Sequence, residues 1–209
     1  GSPKALTVIR ENSIKDLEAL SNDAKYFWRD TSKYAPHNLV TSSEKMNFAL
    51  RDYGLLDTTA VIDPWLFKDE AVPDDRGDHG REIEFNFSGG TTYRANYVYD
   101  REQNHYLRFN AGEPHLDANT GGQISVKNVI VQLTESPVYE GGKGRLDIYV
   151  GGTGDAWVFR DGKATKATWQ KQGRTDRTRY YDTDGGEIEL NRGTTWVHIL
   201  TKTQDVLYK

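Results

Sequence analysis

Apolar and polar residues along this chain follow a helical spacing in the first quarter and a two-residue alternation in the last two thirds. Ala5, Leu6, Val8 and Ile9 form an apolar stripe at helix spacing. Pro3, a residue suited to a first helical position, precedes it, and the stripe ends near Glu11 and Asn12. Ser13 is placed to cap a second short helix carrying Ile14, Leu17 and Leu20. The strongest start signal is Thr41-Ser42-Ser43-Glu44, which reads as a capping box with Thr41 as the cap and Glu44 reaching back. The helix it opens should bury Met46, Ala49, Leu50 and Tyr53, with Gly54 supplying the left-handed stop.

The pattern lapses between Asp57 and Gly80, where Pro64, Pro73, Asp74, Asp75, Gly77 and Asp78 crowd a polar stretch. Its apolar centre, Val61, Ile62, Trp65, Leu66 and Phe67, is expected to dock on a neighbour. Beyond it, Glu82 to Phe87 alternates with period two, and Tyr93 to Tyr99 returns through Asp100 to Asn104 into His105 to Phe109 as a hairpin. Further strands are expected at Lys127 to Thr134, Leu146 to Val150 and Thr195 to Leu200. Ala156 to Phe159 should meet Ala164 to Trp169 across Asp161-Gly162, a type I′ turn signal. Arg179 to Tyr181 should meet Glu187 to Leu190 across Asp182 to Gly186. At least eight strands with short turns imply a meandering sheet, a sandwich or a partly open barrel. The expected fold class is α+β, a short N-terminal helical segment followed by a mainly antiparallel β domain. Its parts are residues 1–56, a linker at 57–80 and the β domain at 81–209.

Charge and composition narrow the partners. The net charge is −4, from 27 Lys and Arg against 31 Asp and Glu, with no dense basic run, so nucleic acid is not an expected partner. Seven Phe, 12 Tyr and five Trp are too many for a disordered chain. The absence of Cys removes disulfides, thiolate nucleophiles and thiolate metal sites, and leaves the compartment open. No apolar stretch approaches the roughly 18 residues needed to cross a bilayer. Any export signal must lie upstream of Gly1.

The densest candidate chemistry lies in Tyr26-Phe27-Trp28-Arg29-Asp30 and Ala35-Pro36-His37-Asn38-Leu39-Val40-Thr41. A helix N-terminus attracts anions, and Arg29 adds a fork for a carboxylate or phosphate. Asp30 and His37 are types that serve as general acid or base. The competing account pairs Arg29 with Asp30 structurally and gives His37 and Asn38 to the proline turn. A second cluster, Glu113-Pro114-His115-Leu116-Asp117, could ligate a metal only with His115 and Asp117 on one face. A turn built by Asp117 and Thr120 is the better account, and neither metal nor cofactor is expected. Arg174, Arg177 and Arg179 with Tyr180, Tyr181 and Trp169 offer a basic, aromatic surface for sugars or bases, or else a solvated sheet face. Gly151-Gly152-Thr153-Gly154 lacks the Lys and helix of a P-loop, and neither Gly-x-Ser-x-Gly nor His-Glu-x-x-His occurs.

Several stretches carry a family likeness: Gly1 to Ala5, Tyr26 to Asp30, Ala35 to Leu39, Thr41 to Lys45, Pro114-His115 with Asp117, Lys127 to Gln132, Gly144 to Asp147, and Thr178 to Asp182 through Thr195-Trp196-Val197. With these segments, spread over nearly the whole chain, the sequence resembles the YerB-like family of bacterial lipoproteins, a domain of unknown function. The resemblance implies that residues 1–56 are the helical end of an N-terminal α/β domain that begins upstream. It also implies an upstream anchoring cysteine and a place outside the cytoplasm, with the membrane reached only through that lipid. It implies no reaction.

The leading expectation is an extracytoplasmic binding or scaffolding module for a cell-wall glycan, an anionic ligand or an envelope protein. Arg29, His37, Asn38 and Thr41 would then be its ligand-binding residues. The alternative is an enzyme cleaving an envelope polymer such as peptidoglycan with Asp30 and His37 as acid and base. Glycan cleavage wants two carboxylates, and only Asp30 is evident there. A third possibility is a structural protein that bridges partners through sheet edges.

Overall fold

The computed structural model describes residues 4–59, 61–139 and 144–209 and divides the chain into two units, one ending at Ile62 and the other running from Asp63 to Lys209. The first unit contains helix α1 (Ala5–Glu11), the short strands β1 (Trp28–Arg29) and β2 (Leu39–Val40), and helix α2 (Ser43–Asp52). The expectation for Pro3 falls outside the described residues. Directly after α1 the chain leaves the helical path: Ser13 turns to φ 50° and the Asp23 carboxylate accepts from the Glu18 amide at 2.9 Å, closing residues 18–23 into a loop. The helix expected over Ile14, Leu17 and Leu20 is therefore not formed.

The α2 cap sits one residue later than the sequence suggests. Ser42 Oγ accepts from the Lys45 amide at 3.2 Å, whereas the Thr41 hydroxyl donates to the Tyr26 carbonyl at 2.8 Å. That bond removes Thr41 from the cap and breaks the box with Glu44. Ala49 is buried and Gly54 stops the helix at φ +67°, but Met46 and Tyr53 are half-buried and Leu50 is exposed.

The second unit is built on two sheets. Its strands are β3 (Phe67–Lys68), β4 (Glu82–Asn86), β5 (Arg94–Asp100), β6 (His105–Asn110), β7 (Glu113–Pro114), β8 (Ser125–Val126), β9 (Asn128–Thr134), β10 (Gly152–Arg160), β11 (Lys163–Lys171), β12 (Arg179–Tyr181), β13 (Leu190–Asn191), β14 (Thr195–Thr201) and β15 (Val206–Tyr208). One sheet has the order β12-β11-β10-β9-β14 and the other β15-β4-β5-β6-β7, with β8 also on β6. All these pairings are antiparallel except β9 with β14, and a separate parallel pair joins β3 to β13. The fold is thus mainly antiparallel β with a short helical part.

Alternation decides what faces what. Ile83 and Phe85 of β4, Tyr97 and Tyr99 of β5 and Tyr106 of β6 meet Val129, Val131, Phe159 and Leu200 of the five-stranded sheet in one core. The opposite face of that sheet carries Ile130, Val158, Ala167, Trp169 and Tyr180 against Ile188 and Leu190, with Trp65 laid over them. β9 is therefore buried on both faces, which is why Val129-Ile130-Val131 runs unbroken. Each such side chain contributes roughly 1.5–3 kcal/mol by leaving water.

The segment read as a linker is pinned to this second face. The Trp65 indole donates to the Thr178 carbonyl at 2.8 Å, and the Leu190 amide donates to the Leu66 carbonyl at 2.9 Å. Leu146 to Val150 does not form the expected strand. Leu146 bridges only Val138, and Pro137, which has no amide hydrogen, prevents a continuous ladder beside it. β3, β15 and both parallel pairings were not anticipated.

The Asp161-Gly162 turn forms as expected, with φ 52° and 67°. The buried Asp161 carboxylate receives Lys68 Nζ at 2.8 Å and the amides of Asn104 and Asn191 at 3.0 and 2.7 Å. Burial by itself would raise its pKa, but these bonds hold it below the usual carboxylate value.

A side chain at position 162 would overlap the Gly77 carbonyl oxygen and the Tyr99 ring, whereas nothing lies within 4 Å of one at position 54, where φ is also +67°. Gly162→Ala should cost at least about 3 kcal/mol and Gly54→Ala about 1 kcal/mol. Thermal melts of both variants test this. Equal losses would show that the close approach at Gly162 is not what matters.

Candidate functional site

β1 and β2 pair as Trp28↔Val40 and Arg29↔Leu39, and the Asp30 amide donates to the Asn38 carbonyl at 2.7 Å, so residues 30–38 are the loop of a small hairpin. Asn38 is buried at its centre. Its amide nitrogen donates to the carbonyls of Asp30 and Lys33, each at 3.2 Å, and its side-chain oxygen accepts from Arg29 Nη1 at 2.8 Å. Arg29 Nη1 also reaches the Pro36 carbonyl at 3.3 Å. Asp30 Oδ1 accepts from the Ser32 amide and hydroxyl at 2.9 and 2.6 Å, and these bonds hold the carboxyl below its usual pKa. Such a carboxylate stays ionised near neutrality and is a poor proton donor.

Of the residues singled out here, the structure brings together Arg29 and Asn38 and commits both to the loop. His37 is exposed and shares no hydrogen bond with Asp30 among the described residues, and Thr41 is spent on the Tyr26 carbonyl. Around this loop the large apolar rings face outward: Tyr34 is 94% exposed, and Trp28 and Phe48 are nearly half exposed. Lys45 Nζ lies 6.0 Å from the Trp28 ring and the Arg51 guanidinium 5.7 Å from the Phe48 ring.

The other candidate clusters resolve into structure. Asp117 Oδ1 accepts from the amides of Asn119 and Thr120 at 3.1 and 2.9 Å and from the Thr120 hydroxyl at 3.0 Å, which makes a turn. No group of three or more His, Cys, Asp or Glu could hold a metal ion among the described residues. Trp169 and Tyr180 are buried and so form no stacking surface. Arg177 lies over Trp65 at 5.1 Å, and Arg179 clamps Asp63 and Glu187, whose hydrogen bonds raise its pKa.

A polar centre that the sequence did not reveal lies inside the sandwich. Tyr97 from β5, Arg108 from β6, His115 beyond β7, and Trp196 and His198 from β14 converge there. Tyr97 Oη and His198 Nε2 are 2.7 Å apart, Arg108 Nε donates to Tyr97 Oη at 3.2 Å, and Arg108 Nη1 bonds His115 Nδ1. The guanidinium carbon sits 4.4 Å from the Trp196 ring centre, and Trp196 stacks on His198 at 5.9 Å. Burial, with the Arg108 charge second, pushes the His198 pKa down to about 3, and the same causes lower His115. The signal was present: β6 alternates, so once Tyr106 faces inward Arg108 must follow it.

Residues 81–197 match the profile of the family described as Protein of unknown function (DUF3048) C-terminal domain. Over 201 residues the chain is 25% identical to a Bacillus subtilis (strain 168) protein named Putative lipoprotein YerB, covering 95% of this chain and 58% of that protein. The chain thus spans somewhat over half the length of that relative. The crystal structure of the YerB protein from Bacillus subtilis matches with a TM-score of 0.81 at 21% identity, over 99% of this chain and 68% of that one, which shows a shared fold.

His198 makes stability depend on pH. Above pH 6.5 it is neutral in both states; below that the unfolded chain takes up a proton that the folded chain refuses until about pH 3. Stability should fall by about 1.4 kcal/mol per pH unit from this group as the pH drops from 6 to 4.5. Urea unfolding of wild type and His198→Gln across that window reads it: the variant's slope should be shallower by about that amount. Identical slopes would clear His198 as the source.

Proposed function

The chain belongs to the family described as Protein of unknown function (DUF3048), and from that premise we propose that it is a binding module of the bacterial cell envelope. It works outside the cytoplasm, held at the membrane through a lipid, as the name of its Bacillus subtilis relative suggests. Its contact surface is the first unit, and its partner is a cell-wall glycan or an envelope protein.

One observation carries this reading. In the 29–38 hairpin Arg29, Asp30 and Asn38 are committed to holding the loop, while Tyr34 stands out into solvent, as do Trp28 beside Lys45 and Phe48 beside Arg51. Exposed rings next to cations suit contact with sugars or protein surfaces. The same geometry weakens the enzyme alternative: Asp30 is held ionised by Ser32 and His37 points to no bond with it, whereas polymer cleavage asks for an acid paired with a second carboxylate.

Peptidoglycan sacculi and detergent-solubilised envelope proteins serve as separate baits. Wild type should sediment with sacculi or retain an envelope protein, and Trp28→Ala and Tyr34→Ala should each weaken that retention roughly tenfold or more. Asp30→Ala and His37→Ala should leave it within about twofold, and no soluble fragments should appear. Fragments released by wild type and lost in Asp30→Ala would replace the binding reading with the enzyme one.

A further inference from the structure

Most cations drawn into the sandwich unit meet acids. Lys68 lies 2.8 Å from Asp161, Lys127 lies 2.6 Å from Glu70, and Arg179 spans Asp63 and Glu187. Arg108 is more deeply buried than any of them, at 6% exposure, yet among the described residues it has no carboxylate in ion-pair reach. Its partners are neutral: the Tyr97 hydroxyl, His115 Nδ1 and the face of Trp196. A ring face and two neutral acceptors offset only part of what a guanidinium loses on leaving water.

We propose that Arg108 anchors an oxyanion site, which takes the carboxylate or phosphate group of an anionic ligand. His115 occupies the guanidinium in the ligand's absence and yields its place, and Trp196 walls the site.

Three features support this. The planar guanidinium fork matches two oxygens of a carboxylate or phosphate, a geometry that an imidazole nitrogen meets with one bond only. His115 and Trp196 are both partly exposed, so the side chains that lie against the guanidinium on that side themselves reach solvent. Burial lowers the pKa values of His115 and His198 first and the Arg108 charge lowers them further, and that second contribution is one a bound anion would offset. The inference concerns the sandwich unit alone and stands whether or not the first unit contacts the envelope.

The test is a titration of the full chain with inorganic phosphate and, separately, with acetate, at ionic strength fixed by chloride. It follows the Trp196 indole and His115 ring resonances by NMR. Saturable shifts of both residues are expected, with the tighter anion identifying the source as phosphate or carboxylate, and with the His115 pKa rising on saturation. Arg108→Gln should lose at least tenfold in affinity. His115→Ala, which removes the competing acceptor, should gain several-fold and keeps the proposal testable if Arg108→Gln does not fold. Absence of saturable shifts in wild type with either anion, unchanged affinity in a folded Arg108→Gln, or affinity not raised in His115→Ala would each overturn the site.

Discussion

The Asp161 carboxylate fastens together three separate sheets of the sandwich unit. It sits at the tip of the β10–β11 hairpin in the five-stranded sheet, yet its partners come from elsewhere: Asn104 from the β5–β6 turn of the other sheet, Lys68 from β3 and Asn191 from β13. Asn191 in turn receives and gives bonds with Asn128 at the start of β9, and Asn104 takes a bond from Tyr99 and reaches Glu70, which holds Lys127. A buried charge with all its contacts satisfied is costly to form and costlier to break, because losing any partner leaves a carboxylate uncompensated. The device therefore fixes which strand ends lie together more than it adds stability. It also explains the left-handed backbone at Asp161 and Asn104, where a short polar side chain tolerates a positive φ and then uses it to aim inward.

That constraint shows why some of the fold was legible in the sequence and some was not. The β5–β6 and β10–β11 hairpins announced themselves because both the alternation and the turn residues are local, and α2 was found within one residue of its cap. The parallel pairing of β14 with β9 joins residues more than sixty positions apart, and β3 with β13 more than a hundred, so no short-range pattern encodes either. Leu146 to Val150 has the composition of a strand, but its neighbour contains Pro137 and the ladder fails. The capping residue was misplaced because Thr41 and Ser42 are equivalent as caps, and only the Tyr26 carbonyl chooses between them.

The candidate sites divide in the same way. Around Asp30 the residue types along the sequence point to one loop, but they could not say that Arg29 and Asp30 would be engaged within it by Asn38 and Ser32. At Arg108 the difficulty was the reverse, since five residues from four separate stretches converge only after the two sheets pack. A charged residue at an inward position of a strand reads as an error in the alternation until its partners are known. Here those partners are an imidazole, a phenol and an indole, a set able to solvate a cation without neutralising it.

The two units also differ in what holds them, and that difference bears on their roles. The first has only Tyr26 and Ala49 as buried apolar residues among those described, and its elements are tied by polar contacts near the surface, with Lys25 and Tyr26 both on Asp52 and Tyr53 on Asp23. Exposed ion pairs of this kind contribute little, so such a unit lies at the low end of local stability. The second unit buries its sheet on both faces and locks its ends with Asp161. A surface that must adjust to a partner is better carried by the former, and a preorganised charge by the latter, where packing holds the guanidinium still and water cannot screen it. On this argument the hairpin around Tyr34 and the centre around Arg108 need not compete as accounts of function, since an adaptable contact and a fixed anion contact make different demands on the chain.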